Sequence, residues 1–234
     1  SKLLMAKSWR LAGKFTPTLW SHGGADDDDA GVAFDILLFS RMRLDTELWI
    51  PNRSFSFSLT YDRWATSLFS KGVETTGVID DQPQLNLKSN ELAFKVRYHR
   101  PILFSEFSLQ AGLRRSSVIF FYKDTPATIA LVNSYLTSLT LGSGARLSLG
   151  WLGELHGLAE LGYPLGGSGF TLTHATDYRL TGEYLQYLGS PALSLSFYYQ
   201  YDVRNVQYKL SSPVTQGHVI DRLNTVGMGL ELRL

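Results

Sequence analysis

A chain of 234 residues with a formal net charge of +1 and no cysteine fits a single domain. It excludes a disulfide framework, a thiolate metal centre and the basic balance of a nucleic-acid-binding surface. Hydrophobic residues make up 44% and the mean hydropathy is -0.05, and no window approaches the roughly 18–20 uninterrupted apolar residues of a membrane helix. Such an average does not exclude membrane strands, in which lipid-facing and lumen-facing residues alternate and cancel.

The chain opens on Ser1-Lys2-Leu3-Leu4-Met5-Ala6-Lys7, too short in apolar residues for a secretory leader, and residues 1–7 are expected to be a tail left after a leader is removed. From there a period of two dominates. Alternation predicts strands at 8–20, 31–49, 53–65, 86–98, 103–120, 133–150, 154–164, 176–188, 192–206 and 222–234. Four of them show it clearly: Phe55, Phe57, Leu59 and Tyr61; Leu92, Phe94, Val96 and Tyr98; Leu193, Leu195, Phe197, Tyr199 and Tyr201; and Val226, Met228, Leu230, Leu232 and Leu234. Each set shares one parity, with polar or small residues on the other.

The predicted connections fall into two classes. After even strands they are tight, as in Ile50-Pro51-Asn52, His99-Arg100-Pro101-Ile102, Trp151-Leu152-Gly153 and Gly189-Ser190-Pro191. After odd strands they are long and polar: Ser21 to Ala30, Thr66 to Leu85, Phe121 to Val132, Leu165 to Ala175 and Gln207 to Asp221. Short turns at one rim, long loops at the other and an even strand number describe an all-β, up-and-down antiparallel barrel of about ten strands, 1–234 as one domain, with both termini on the short-turn side.

The charges decide what surrounds it. On the polar parity lie Arg10, Lys14, Asp35, Arg41, Arg43, Asp45, Glu47, Asp62, Glu91, Lys95, Arg97, Glu106, Arg114, Arg146, Glu160, Arg179, Glu183, Asp202, Arg204, Glu231 and Arg233, eleven cations and ten anions, with His156 beside Glu160. The other parity is nearly uncharged. Trp9, Trp49, Tyr98 and Trp151 fall near the short turns, and Trp20, Tyr61, Tyr163, Tyr178 and Tyr201 near the long loops, although Trp49 sits on the polar parity. Two aromatic levels around an aliphatic band are what a bilayer selects, so the barrel is expected to span a membrane with its charges in the lumen.

In this respect the chain resembles the bacterial outer-membrane β-barrel superfamily over nearly its whole length. That resemblance implies short periplasmic turns, long extracellular loops, a periplasmic segment at 1–7, lipid and lipopolysaccharide as surroundings, and handling by the barrel-assembly machinery during insertion. The superfamily's C-terminal signal ends on an aromatic residue; here Gly227-Met228-Gly229-Leu230-Glu231-Leu232-Arg233-Leu234 keeps the alternation but ends on leucine. Function is expected to be that of a narrow solute or ion channel, or of a structural, largely occluded barrel, since near-balanced lumen charges can pair across the interior. A surface-binding adhesin or a subunit of a larger envelope complex is the alternative.

An outer-membrane hydrolase is the third reading. His174 with Asp177, and His218 with Asp221, lie near the long-loop rim, but their i, i+3 spacing departs from the Asp-His arrangement of the ten-stranded omptin proteases. No His-x-Ser-Asn motif of the lipid A deacylases and no phospholipase-type His, Asn and Ser set is present. The expectation is no catalytic residue, no cofactor and no metal. Asp26-Asp27-Asp28-Asp29 lacks the layout of a calcium loop and reads as a hydrated acidic loop, and the connection around Lys71 to Gln84 is the best placed for external recognition.

Overall fold

The computed structural model describes residues 9–26, 31–50, 54–69, 74–75, 78–79, 84–125, 128–211 and 214–234. Side chains are described within these except at 25–26, 31–39, 65–69, 74–75, 78–79, 84–88, 121–125, 128–131, 211 and 214–215. The N-terminal segment 1–7, Asp27 to Asp29 and the Asp26 and Asp35 side chains lie outside the described residues, as does most of the 71–84 connection.

Ten long strands form the wall: β1 (Trp9–Asp26), β2 (Gly31–Trp49), β3 (Phe55–Phe69), β4 (Gln84–Ile102), β5 (Ser105–Thr125), β6 (Thr128–Ser148), β7 (Glu154–Gly167), β8 (Phe170–Ser190), β9 (Leu193–Ser211) and β10 (Val214–Arg233). Each pairs antiparallel with its chain neighbours, and β1 pairs with β10 to close the barrel. Closure is tied at the short-turn rim, where Trp9 N donates to Leu234 O at 3.0 Å and Leu234 N donates to Trp9 O at 2.9 Å. The β6–β7 turn, a 3-10 segment at Gly150–Leu152, uses glycine where φ is positive, +70° at Gly150 and +128° at Gly153.

Outward alternation is as the sequence predicts. Leu59, Leu92, Phe94, Leu113, Leu141, Leu161, Met228 and Leu230 are exposed, while their inward neighbours are polar or small residues. This inversion of an ordinary fold is stable only with hydrocarbon outside. Among the girdle residues, Trp9, Tyr61, Tyr98, Trp151, Tyr163 and Tyr178 face outward. Trp20 does not: it is 3% exposed and points into the lumen, because Arg10, Lys14, Thr16, Thr18, Trp20 and His22 share one parity of a strand that runs past residue 20.

Most residues expected in long loops are strand. β1 continues through Asp26, β5 and β6 meet across two residues, and so do β7 and β8, and β9 and β10. Polarity misleads here because a hairpin that rises beyond the bilayer has water on its outer face, while its ladder still satisfies the backbone. The 21 residues of β5 extend roughly 70 Å, well beyond what a tilted strand needs to cross the apolar band. The barrel therefore projects past the membrane at the long-hairpin rim.

In that projection the wall divides. Pairing of β2 with β3 reaches only to Arg41 opposite Trp64, of β4 with β5 to Glu91 opposite Ser116, and of β7 with β8 to Asp177 opposite Gly162. Beyond these points the strands form three sheets: β8-β9-β10-β1-β2, the β3-β4 hairpin, and β5-β6-β7. Two short pieces of the β3–β4 connection reach across, Glu74–Thr75 alongside β2 and Val78–Ile79 alongside β6.

Candidate functional site: the charged lumen

Every carboxylate whose side chain is described faces inward, and the described members of the predicted lumen set meet at two levels, with an apolar layer above them. Nearest the short turns, Arg10 lies 2.7 Å from Glu231 and 3.5 Å from Glu47, and Arg233 holds Glu154 at 2.7 Å and Glu231 at 2.5 Å. Arg97 lies 3.1 Å from Glu47, Arg146 is 3.9 Å from Glu106, and Lys14 crosses to Glu183 at 2.5 Å. Arg43 holds Asp45 at 3.0 Å and reaches over the lumen to Tyr198 Oη at 2.6 Å. A cavity of about 110 Å³ remains at this level, room for a few waters. Trp49, on the inward parity, lies tilted against His99, 5.9 Å from ring centre to ring centre.

The middle level is the most tightly closed. Lys95 of β4 pairs with Glu160 of β7, and Arg114 of β5 spans Glu160, at 3.0 Å, and Asp177 of β8. Arg179 of β8 makes a two-pronged contact across the barrel with Glu91 of β4, at 2.7 and 2.9 Å, while its Nε meets Asp202 at 2.5 Å. Such fork-to-fork pairs are strong and directional. Arg41 holds Asp62 at 2.6 Å, at the height where β2 and β3 part. Arg204 of β9 crosses to Ser116 Oγ at 2.9 Å and Ser117 O at 3.1 Å on β5.

Above these pairs the lumen turns apolar. Val118, Phe120, Leu136, Phe170, Val206, Tyr208, Leu210 and Val219 form one buried cluster, with Phe120 4.1 Å from Tyr208 and 4.7 Å from Phe170, ring centre to ring centre. The sequence points only to near-balanced, pairing charges in the lumen; the seal at this rim is hydrophobic because these strands continue inward-facing residues past the bilayer.

Several histidines are placed differently from their predicted roles. His156 lies 2.9 Å from Glu154, not beside Glu160, since residues four apart on a strand are two rows apart. His174 and His218 are exposed, whereas Asp177 and Asp221 are buried and bound elsewhere, so neither i, i+3 pair exists. Asp221 instead meets His22 on the adjacent strand: His22 Nδ1 and Asp221 Oδ1 are 2.6 Å apart, and Trp20 Nε1 donates to the same oxygen at 2.9 Å. Continuing the parity of Lys14 to residue 22 identifies His22; ending the strand at residue 20 hid it.

A second group missed from sequence is a relay of β3, β4 and β5. Ser56 Oγ lies 2.7 Å from His99 Nε2, His99 Nδ1 lies 2.8 Å from Glu106, and Ser56 also donates to Glu47 at 2.6 Å. The order of hydroxyl, imidazole and carboxylate is that of an acyl-transfer site, but the serine is wholly buried and its hydroxyl is taken by Glu47. Among the described residues no three potential metal ligands cluster.

No family model and no curated protein matches this sequence. Among solved structures, the outer membrane protease OmpT from Escherichia coli matches with a TM-score of 0.63 at 9% identity, covering 97% of each chain. The β domain of the Bordetella autotransporter BrkA gives 0.42 at 11% identity, covering 97% of this chain and 100% of that one. Neisserial surface protein A gives 0.34 at 13% identity, covering 95% and 97%. The first of these likenesses shows the fold, that of an outer-membrane β-barrel, and the outward apolar band is matched to a lipid bilayer.

Proposed function

We propose that this outer-membrane barrel is a structural, occluded one rather than a steady solute channel. The observation that carries the reading is the crossing of the lumen by paired charges, above the short-turn cavity, and its apolar seal at the Phe120 cluster. A conducting path needs a wet, continuous line of weak sites. Here the middle level is spanned by Arg179 to Glu91 and Arg114 to Asp177, and moving either ion partner aside leaves a buried charge unpaired. What the closed barrel supports is the projecting set of three sheets, where binding to the exterior would occur. Planar bilayers test this: purified barrel is expected to give no steady conductance in potassium chloride, whereas a stable, ohmic open level overturns the reading.

A second reading, an outer-membrane hydrolase, is favoured by one observation, the His22–Asp221 pair under Trp20. A carboxylate on Nδ1 fixes the imidazole's tautomer and orientation, the arrangement of a general base. The protease named among the structural likenesses shares the fold alone. His22→Ala and Asp221→Asn are expected to abolish any peptide or lipid hydrolysis by the folded barrel, and activity that survives both removes this pair from consideration.

A further inference from the structure

The cavity of about 110 Å³ at the short-turn level is not filled by the ion pairs around it, and it has space for a phosphate-sized ion as well as for water. Part of that space comes from β6, where Gly144 stands on the inward parity two residues before Arg146 and puts no side chain into it. Arg97 and His156 keep 20% and 15% of their side chains exposed, so the cavity is not sealed.

Its polar groups are unequally engaged. Every described carboxylate that lines it has a close partner. Arg43 Nε donates to Asp45 at 3.0 Å and Arg97 Nη1 to Glu47 at 3.1 Å. His99 lies 2.8 Å from Glu106, and Lys14 lies 2.5 Å from Glu183. The guanidinium groups are less fully used. Arg146 makes no hydrogen bond among the described residues, because Glu106 at 3.9 Å and Glu154 at 3.7 Å lie beyond bonding distance. Both carboxylates are claimed by others: Glu106 by His99, and Glu154 by the fork of Arg233, at 2.8 and 2.7 Å, and by His156 at 2.9 Å. Arg43 and Arg97 bond through Nε and Nη1, and the Nη2 of each has no partner among the described residues.

Trp49, which departs from the outward girdle, belongs to this site. The Arg146 guanidinium lies over its ring, 6.0 Å from the centre, and a guanidinium on an aromatic face keeps its N–H edge available. A cavity whose acceptors are spent and whose remaining groups are cationic donors is complementary to a ligand made of acceptors. Water can meet the donors, but it leaves the Arg146 charge without a close anion. Guanidinium-to-oxyanion bonds supply both.

We propose that the cavity between Arg43, Arg97 and Arg146 binds a small oxyanion of the phosphate class, admitted from the short-turn side. The site lies below the Arg179 and Arg114 pairs, so the proposal holds whether or not the middle level conducts.

Isothermal titration calorimetry of the barrel in a non-ionic detergent tests it, with inorganic phosphate added at constant ionic strength so that loose surface association is screened. Saturable, one-to-one binding is expected. Arg146→Gln is expected to weaken it about tenfold, the worth of one charge-assisted hydrogen bond. That variant strands no carboxylate, since Glu106 and Glu154 keep their other partners, and gel mobility of the unheated protein checks that it is folded. The pair Arg63→Gln/Arg115→Gln, on the outer wall, is expected to bind phosphate like the parent. A parent barrel that gives no saturable heat overturns the proposal, whatever the variants do. So does a folded Arg146→Gln barrel with unchanged affinity, or a loss that follows Arg63 and Arg115 instead.

Discussion

Arg179 joins three strands by itself: β8, which carries it, β4 through Glu91, and β9 through Asp202. Removing its charge strands two buried carboxylates, a situation far costlier than losing a surface pair. Arg179→Met is expected to destabilise the barrel by about 3–5 kcal/mol, read from urea unfolding in lipid vesicles. Replacing Glu91 by Gln and Asp202 by Asn in the same chain is expected to restore much of that loss. A change below about 1 kcal/mol in the single variant would mean that water or a neighbouring arginine takes over the carboxylates. At this scale the sequence was informative about which parity bore charge. It was silent about partners, since Glu91 and Arg179 are 88 residues apart and only closure makes them neighbours.

Strands differ along their own length more than between one another. The short-turn end of β4 pairs on both sides, with β3 and β5, whereas residues 84–90 pair in the ladder with β3 alone. Asn90 N donates to Ser117 Oγ at 3.2 Å, a side-chain substitute for the ladder at the point of division. Amide hydrogen exchange at 84–89 is therefore expected to run about tenfold or more faster than at 92–98, and uniform protection along β4 would show that the wall does not divide there. The same logic applies to β2 above Arg41 and to β8 above Asp177. Nothing in the alternation of these segments distinguishes a strand with two neighbours from one with a single neighbour, because side-chain period reports faces and not edges. Hence the sequence located ten strands and their short turns, and all of β2, but took the upper parts of most of the others for loops.

For the whole molecule the governing fact is where charge and hydrocarbon lie. Outward leucines and phenylalanines match the bilayer, and a ten-stranded lumen, too wide for aliphatic side chains to fill as they fill eight strands, is occupied by long arginine, lysine and glutamate side chains paired with one another. The conductance measurement belongs to this scale, since silence requires the ionic middle level and the apolar seal together. The sequence by itself determined the barrel, its strand number, the orientation of its faces and the near-balance of its interior, because each follows from a period of two and the sign of side chains along one strand. Only the tertiary structure decided which charges meet, that Trp20 and His22 turn inward to Asp221, that the rim is sealed by Phe120 and Tyr208, and that the wall opens into three sheets. These depend on register around a closed ring and on how far each ladder continues, which no single strand's sequence records.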